Sequence, residues 1–257
     1  MVGLVYSLLS YLGFLLSFSY FALFSAGVFV EKSVDSGLVP SSGSALLIDL
    51  GLILAFGLQH SLMARSGFKR WLTRFVPQSL ERATYVLGSS LVLVLLMWQW
   101  RPIPTPLWNV QSPSAAALLW GCNALGWLGV PLSSLMIDHF DLVGVKRAFN
   151  GFRRVSFQQK GFVTPLFYRY VRHPMMTSLL VAFWLTPQMT IGHLLLSLGM
   201  TAYILIGVHF EERSLIEELG SAYVHYRKST PKFLPLSGAA IAEASPATSK
   251  PAPRGSR

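Results

Sequence analysis

Apolar residues come in long unbroken runs along this chain, and polar residues gather between the runs. Leu4 to Val30 is one run, Ala45 to Met63 a second, Ala83 to Trp100 a third and about Ala115 to Ile137 a fourth. Each approaches the roughly 20 residues a helix needs to cross a bilayer, so each predicts a transmembrane helix. Asp138 to His173 is polar and basic and predicts a segment outside the hydrocarbon. Pro174 to Phe210 is then apolar for 37 residues. At about 1.5 Å per residue, one straight helix of that length overshoots a membrane. Pro187, in LTPQMT, supplies a break. Two antiparallel arms are predicted, about 174–186 and 190–210, the first short enough to end inside the bilayer. The connection RPIPTPLW is proline-broken, and Trp98, Trp100 and Trp108 read as an aromatic belt at the interface. The predicted fold is an all-α integral membrane helical bundle, four spans plus a C-terminal helical hairpin. Residues 1–137 form the four-helix region and 138–235 the cytosolic loop, hairpin and binding region. The small, polar, proline-rich tail 236–257 is predicted to be disordered.

Composition agrees with lipid. Of the 257 residues 52% are hydrophobic and 12% charged, and the mean hydropathy is +0.49. Soluble domains carry about 25% charged residues. The net charge of +10 raises nucleic acid as a partner, but the placement of the basic residues points to membrane topology instead. Nineteen of the 21 Lys and Arg fall in alternate connections and beyond the hairpin, and Lys32 and Arg101 are the two on the other side. Basic residues mark the cytoplasmic face, so both termini are predicted to be cytoplasmic. The N-terminal run has no preceding Lys or Arg and is too long for a signal-peptide core, which predicts a retained helix. Cys122 has no intrachain partner and reads as a packing residue.

Two polar segments flank the hairpin. In YRYVRHP, Pro174 suits the first position of a helix, and the amides that follow form a ready anion site. His173 precedes it, Arg172 adds a fixed positive charge, and Tyr168 and Tyr170 offer ring faces. The plain alternative is a basic juxtamembrane anchor. In HFEERSLIEELGSAYVHYRKSTPKFLP, Glu211 and Glu212 emerge directly from an apolar span, where carboxylates are costly unless paired or functional. Tyr223 and Tyr226 follow on a short helix that Pro231 ends. The plain alternative here is an amphipathic helix whose glutamates face water.

Taken together, RHP, an apolar hairpin and EExxLxxxLGxxYxxYxxxxPxFxP resemble the isoprenylcysteine carboxyl methyltransferase and phospholipid methyltransferase superfamily. Met175–Met176 and Leu219 depart from its usual pattern. GLQHSLMARSGFKRW, LERATYVLGSSLVLVLLMWQWRP and MIDHFDLVGVKRAF look like the bacterial methanethiol S-methyltransferases and their NnrU-like relatives, over nearly the whole chain to Pro235. The resemblance implies a bacterial inner-membrane enzyme that moves a methyl group from S-adenosylmethionine to methanethiol, giving dimethyl sulfide and S-adenosylhomocysteine. It further implies that the two hairpin ends clasp the cofactor at the cytosolic face. Arg172, His173 and the helix start at Pro174 then suit its carboxylate. Glu211 or Glu212 suits its ammonium or ribose, and the tyrosines its adenine or its sulfonium cation. His209, beside Glu211, is a further pocket candidate.

The nucleophile in such a reaction is the thiolate. Candidate bases are His60, Asp138 and His139, with His173 as an alternative; all sit at predicted cytoplasmic span ends. Each also has a structural reading, and acidification of the thiol by the cationic sulfonium alone is the base-free alternative. His193, near the far face, reads as structural. HxxxH and CxxC spacings are absent, so no metal site is expected. The same sequence leaves open another acceptor, such as an isoprenylcysteine carboxylate, a phospholipid amine or another small thiol. It also leaves open a non-catalytic NnrU-like protein. Oligomeric state is not legible.

Overall fold

A computed structural model describes residues 1–38, 42–153, 155 and 162–235, and is helical almost throughout. In chain order the elements are α1 (Val2–Ala26), α2 (Ser42–Ala64), α3 (Ser66–Leu72), α4 (Glu81–Gln99), β1 (Pro106–Asn109), α5 (Pro113–Ile137), α6 (His139–Leu142), α7 (Val145–Phe152), α8 (Pro174–Trp184), β2 (Gln188–Thr190), α9 (Ile191–Leu219) and α10 (Ser221–Ser229). The predicted tail 236–257 lies outside the described residues.

Five helices, α1, α2, α4, α5 and α9, are long and apolar enough to cross a membrane. Their outward faces carry leucines such as Leu16, Leu47, Leu118 and Leu125, each at least 65% exposed, as expected of surfaces that meet lipid rather than water. The inward faces close on an aromatic core. Trp127 meets Phe183 edge-on at 5.5 Å and Phe21 at 5.8 Å. Trp100, expected at the interface, is fully buried instead, with Phe24 against its ring and its indole N–H donating to the Val34 carbonyl at 3.1 Å. Its polar edge found a backbone partner, so the whole ring could enter the core. Trp98 stays exposed.

The hairpin breaks where Pro187 requires. α8 starts with Pro174 in its first turn and has 11 residues, about half a bilayer at roughly 1.5 Å per residue. A helix that stops in hydrocarbon leaves carbonyls without partners, and here neighbouring side chains supply them. Asn123 Nδ2 donates to the Ala182 carbonyl at 2.7 Å. His193 Nε2 and Ser197 Oγ serve the Phe183 carbonyl at 3.1 and 3.0 Å, and Trp108 Nε1 serves Thr186 at 3.2 Å. His193 is thus structural, as its position suggested. The proline-rich connection is not irregular throughout: β1 pairs antiparallel with β2, so a small ribbon joins the third-to-fourth connection to the hairpin turn. Thr190 then caps α9 by accepting from the His193 amide at 3.0 Å.

α5 and α8 pack at backbone distance. A Cβ placed on Gly126 would sit 2.6 Å from the Ala182 nitrogen, so glycine is required for this approach. The result is a bundle with two unlike ends. One gathers the ribbon, Trp100 and the Arg101–Asp49 contact, in which the Arg101 amide donates to Asp49 Oδ1 at 2.8 Å. The other gathers nearly all the described basic residues and the two ends of the hairpin.

Candidate functional site

α9 runs past α8, so its acidic pair returns to the level of the α8 start. Arg172 grips Glu212 there: Nη2 and Nε lie 2.7 and 2.9 Å from the same carboxylate oxygen. The two side chains are 8% and 7% exposed. Arg172 Nη1 also donates to the carbonyls of Arg227, at 2.9 Å, and Thr230, which caps the last turn of α10 with a cation. Lys232 Nζ approaches the other Glu212 oxygen at 3.5 Å. The chain after α10 lies along the α8 entry, with the Arg172 amide bonded to Pro231 at 2.9 Å, the His173 amide to Lys232 at 3.2 Å and Thr177 Oγ1 to Phe233 at 2.9 Å.

His173 sits between the two glutamates. Its Nε2 is 3.2 Å from Glu212 and its Nδ1 3.5 Å from Glu211. Burial holds its imidazole below the ordinary range, and the hydrogen bond and charge of Glu212 pull the other way. Neighbouring positions on a helix point about 100° apart, and the two glutamates part accordingly. Glu212 turns into the clasp, whereas the Glu211 side chain is 50% exposed, and burial of its carboxyl together with the charge of Glu212 pushes it up to about 7. The charge of Glu211 acts on Tyr85, Tyr168 and Tyr203, three phenols from three parts of the chain. Beyond them lies His60, whose ring meets Tyr85 at 4.8 Å, Phe56 at 5.4 Å and Tyr203 at 5.7 Å.

Two buried polar atoms in this region have no hydrogen-bond partner, Gln59 Oε1 and His60 Nδ1. Gln59 Nε2 is spent on Met63 Sδ at 2.9 Å. An unmatched buried acceptor costs about 1–3 kcal/mol, so two on adjacent residues mark a place shaped for something polar.

The other expected site residues fall as follows. Burial pushes the Tyr168 phenol up; its carbonyl accepts from Tyr226 at 2.5 Å and its hydroxyl reaches Ser133 at 3.5 Å. Tyr223 is buried, and its phenol is pushed up to about 12, mainly by burial. Tyr170 and Pro174 line an apolar groove of about 210 Å³ with Phe167, Thr177 and Phe233. His209 lies on an exposed face of α9 with its ring against Phe210, and no contact places it in the clasp. Asp138 and His139 are engaged locally. Asp138 caps α6 and pairs with Lys146 at 2.5 Å. Both His139 nitrogens have partners, Ser134 Oγ at 2.8 Å and Tyr11 Oη at 2.9 Å. Span ends alone suggested that these two converge with His60 and His173; the partners described for them are local instead. Tyr85, Tyr203 and Gln59 escaped the sequence reading; their one signal is a polar group within an apolar span, a few turns from its charged end. Among the described residues no group of His, Cys, Asp and Glu has the makings of a metal site.

Fold and site together define an all-α, multi-pass membrane protein with a closed ionic clasp at its basic end. No family model and no solved structure matches the chain. Curated proteins do. Over 232 residues it is 50% identical to methanethiol S-methyltransferase 2 of Bradyrhizobium diazoefficiens, covering 90% of this chain and 89% of that protein. It is 46% identical to methanethiol S-methyltransferase of Mycobacterium tuberculosis, covering 90% and 95%. Nurim of Sus scrofa is 30% identical over 182 residues, 65% of this chain and 66% of Nurim. The chain belongs to the methanethiol S-methyltransferase family and is a methyltransferase enzyme, which requires a methyl donor.

Proposed function

We propose that this chain methylates methanethiol with S-adenosylmethionine, yielding dimethyl sulfide and S-adenosylhomocysteine, at the cytoplasmic face of a bacterial inner membrane. The observation that carries the reading is the division of labour between the glutamates: Glu212 locks the hairpin shut and Glu211 stays open beside aromatic rings. The relatives support the reaction, and the gathering of nineteen of 21 Lys and Arg on alternate connections supports the orientation.

The residues suit the cofactor. A half-exposed carboxylate fits an ammonium or ribose hydroxyls, and phenol faces fit a sulfonium cation. Tyr170 and Phe233 offer ring faces to a nucleoside base in the groove beside Pro174. His173 orients Glu211 through Nδ1. Arg172 and Glu212 act by holding the walls together, since their polar atoms are already matched to each other and to α10. Bound S-adenosylmethionine supplies an electrophilic methyl group. The protein's part is to exclude water and align the acceptor behind that methyl, which is where the rate gain of a two-substrate transfer arises.

The test is headspace detection of dimethyl sulfide from purified protein given methanethiol and S-adenosylmethionine. Product formation is expected. Cofactor binding with methylation of a lipid or prenyl acceptor only would change the acceptor. Absence of cofactor binding would defeat the reading.

A further inference from the structure

We propose that the recess between Phe56, His60, Tyr85 and Tyr203 is the acceptor site for a small alkyl thiol, and that His60 Nδ1 takes the thiol proton. The proposal rests on the methyl-transfer reading above and names the second substrate's place within it.

The recess joins α2, α4 and α9. Three aromatic rings within 4.8 to 5.7 Å of the imidazole make its walls apolar, which suits a neutral thiol entering from lipid. His60 Nδ1 is buried and has no partner. A neutral imidazole carries its proton on one nitrogen and a lone pair on the other; with the proton on Nε2, Nδ1 offers its lone pair to a donor that enters the recess. Gln59 Oε1, also buried and unmatched, is the second polar feature at this level. No carboxylate or cation forms an ion pair with His60 among the described residues; Glu211 acts on both Tyr85 and Tyr203, and Glu81 acts on Tyr85 as well.

One wall ring lies hard against the α2 backbone: a Cβ on Gly57 would meet Tyr203 Cδ2 at 3.3 Å.

The step balances as follows. The S–H bond breaks, its electron pair stays on sulfur, and the proton forms an N–H bond at Nδ1. The sulfur pair then forms the new carbon–sulfur bond as the donor's carbon–sulfur bond breaks, with that pair going to the departing thioether. His60 afterwards returns the proton to water at the basic end.

Two variants test this. His60→Gln is expected to lower kcat by about 10²–10⁴-fold, the range for loss of a general base, with cofactor affinity by calorimetry unchanged. It should also lose the acid limb of the pH profile of kcat/KM. With an unreactive amine analogue of the cofactor bound, wild type should show ultraviolet thiolate absorbance on adding methanethiol, and the variant should not. A variant that keeps both the thiolate band and the acid limb overturns the assignment of His60. Gly57→Ala, whose new methyl presses on the Tyr203 ring, should raise KM for propanethiol more than for methanethiol; equal shifts overturn the acceptor recess even if His60→Gln fails to fold. A wild type that binds no cofactor overturns the underlying methyl-transfer reading, whereas active wild type with an indistinguishable His60→Gln overturns the proposal alone.

Discussion

Arg172 and Glu212, forty positions apart in sequence, meet through two nitrogens on one carboxylate oxygen and are almost wholly removed from solvent. Breaking such a pair leaves one buried charge without its counterion. Arg172→Met or Glu212→Leu alone is expected to cost about 3–5 kcal/mol, and the double replacement markedly less. Thermal unfolding in detergent checks this. Single variants as stable as wild type would show that the clasp does not hold the hairpin.

Glu211→Gln should behave differently, because its carboxylate is open and only its neighbour bears the fold. Stability should stay close to wild type while affinity for S-adenosylmethionine falls. A hydrogen bond to a charged group is worth about 1.5–3 kcal/mol, so calorimetry should read a loss of roughly ten- to a hundred-fold.

Asp138 and His139 are already matched to Lys146, Tyr11 and Ser134. Asp138→Asn should leave turnover near wild type and change stability by about 0–1 kcal/mol, as for a partly exposed pair. Single-turnover rates measure the first expectation. A collapse in rate with intact cofactor binding would return Asp138 to the chemistry.

Stability should also depend on pH. Burial holds the His173 and His139 imidazoles below their ordinary 6.5. The unfolded chain therefore takes up protons at these two sites first as pH falls, so their contribution to stability is complete above about 6.5 and is lost below it until the native imidazoles themselves protonate. The melting temperature of wild type relative to His139→Gln should therefore fall towards acid across that range, while the Glu211 carboxyl, pushed up to about 7 by burial and by the charge of Glu212, contributes with the opposite sign in both proteins.

Gly126→Ala tests the bundle itself. The new Cβ would press on Ala182 backbone at 2.6 Å and on the Ser178 carbonyl at 2.9 Å, and backbone cannot step aside. A loss of about 1–3 kcal/mol is expected for such overpacking, with α8 displaced and both cofactor affinity and melting temperature lowered.

Much of this was legible in the residues because hydrophobicity sums along the chain. Runs of apolar residues placed all four spans to within a few positions, and Pro187 placed the hairpin break, since neither signal needs a distant partner. The alternation of basic connections put Arg172, His173, Glu211 and Glu212 at one end, and helix geometry required the two glutamates to point apart. Which of them would turn inward was not decided there. That depended on how α9 passes α8, and it made Arg172 a wall fastening where its sequence context suggested a ligand contact. Partner choice at ångström range likewise tied His139 and Asp138 to near neighbours, left His60 Nδ1 bare among rings, drew Trp100 into the core and folded a proline-rich connection into a ribbon. Local pattern determines what a segment is; which atoms it finally faces is set by packing between segments tens of residues apart, and only the tertiary structure supplies that.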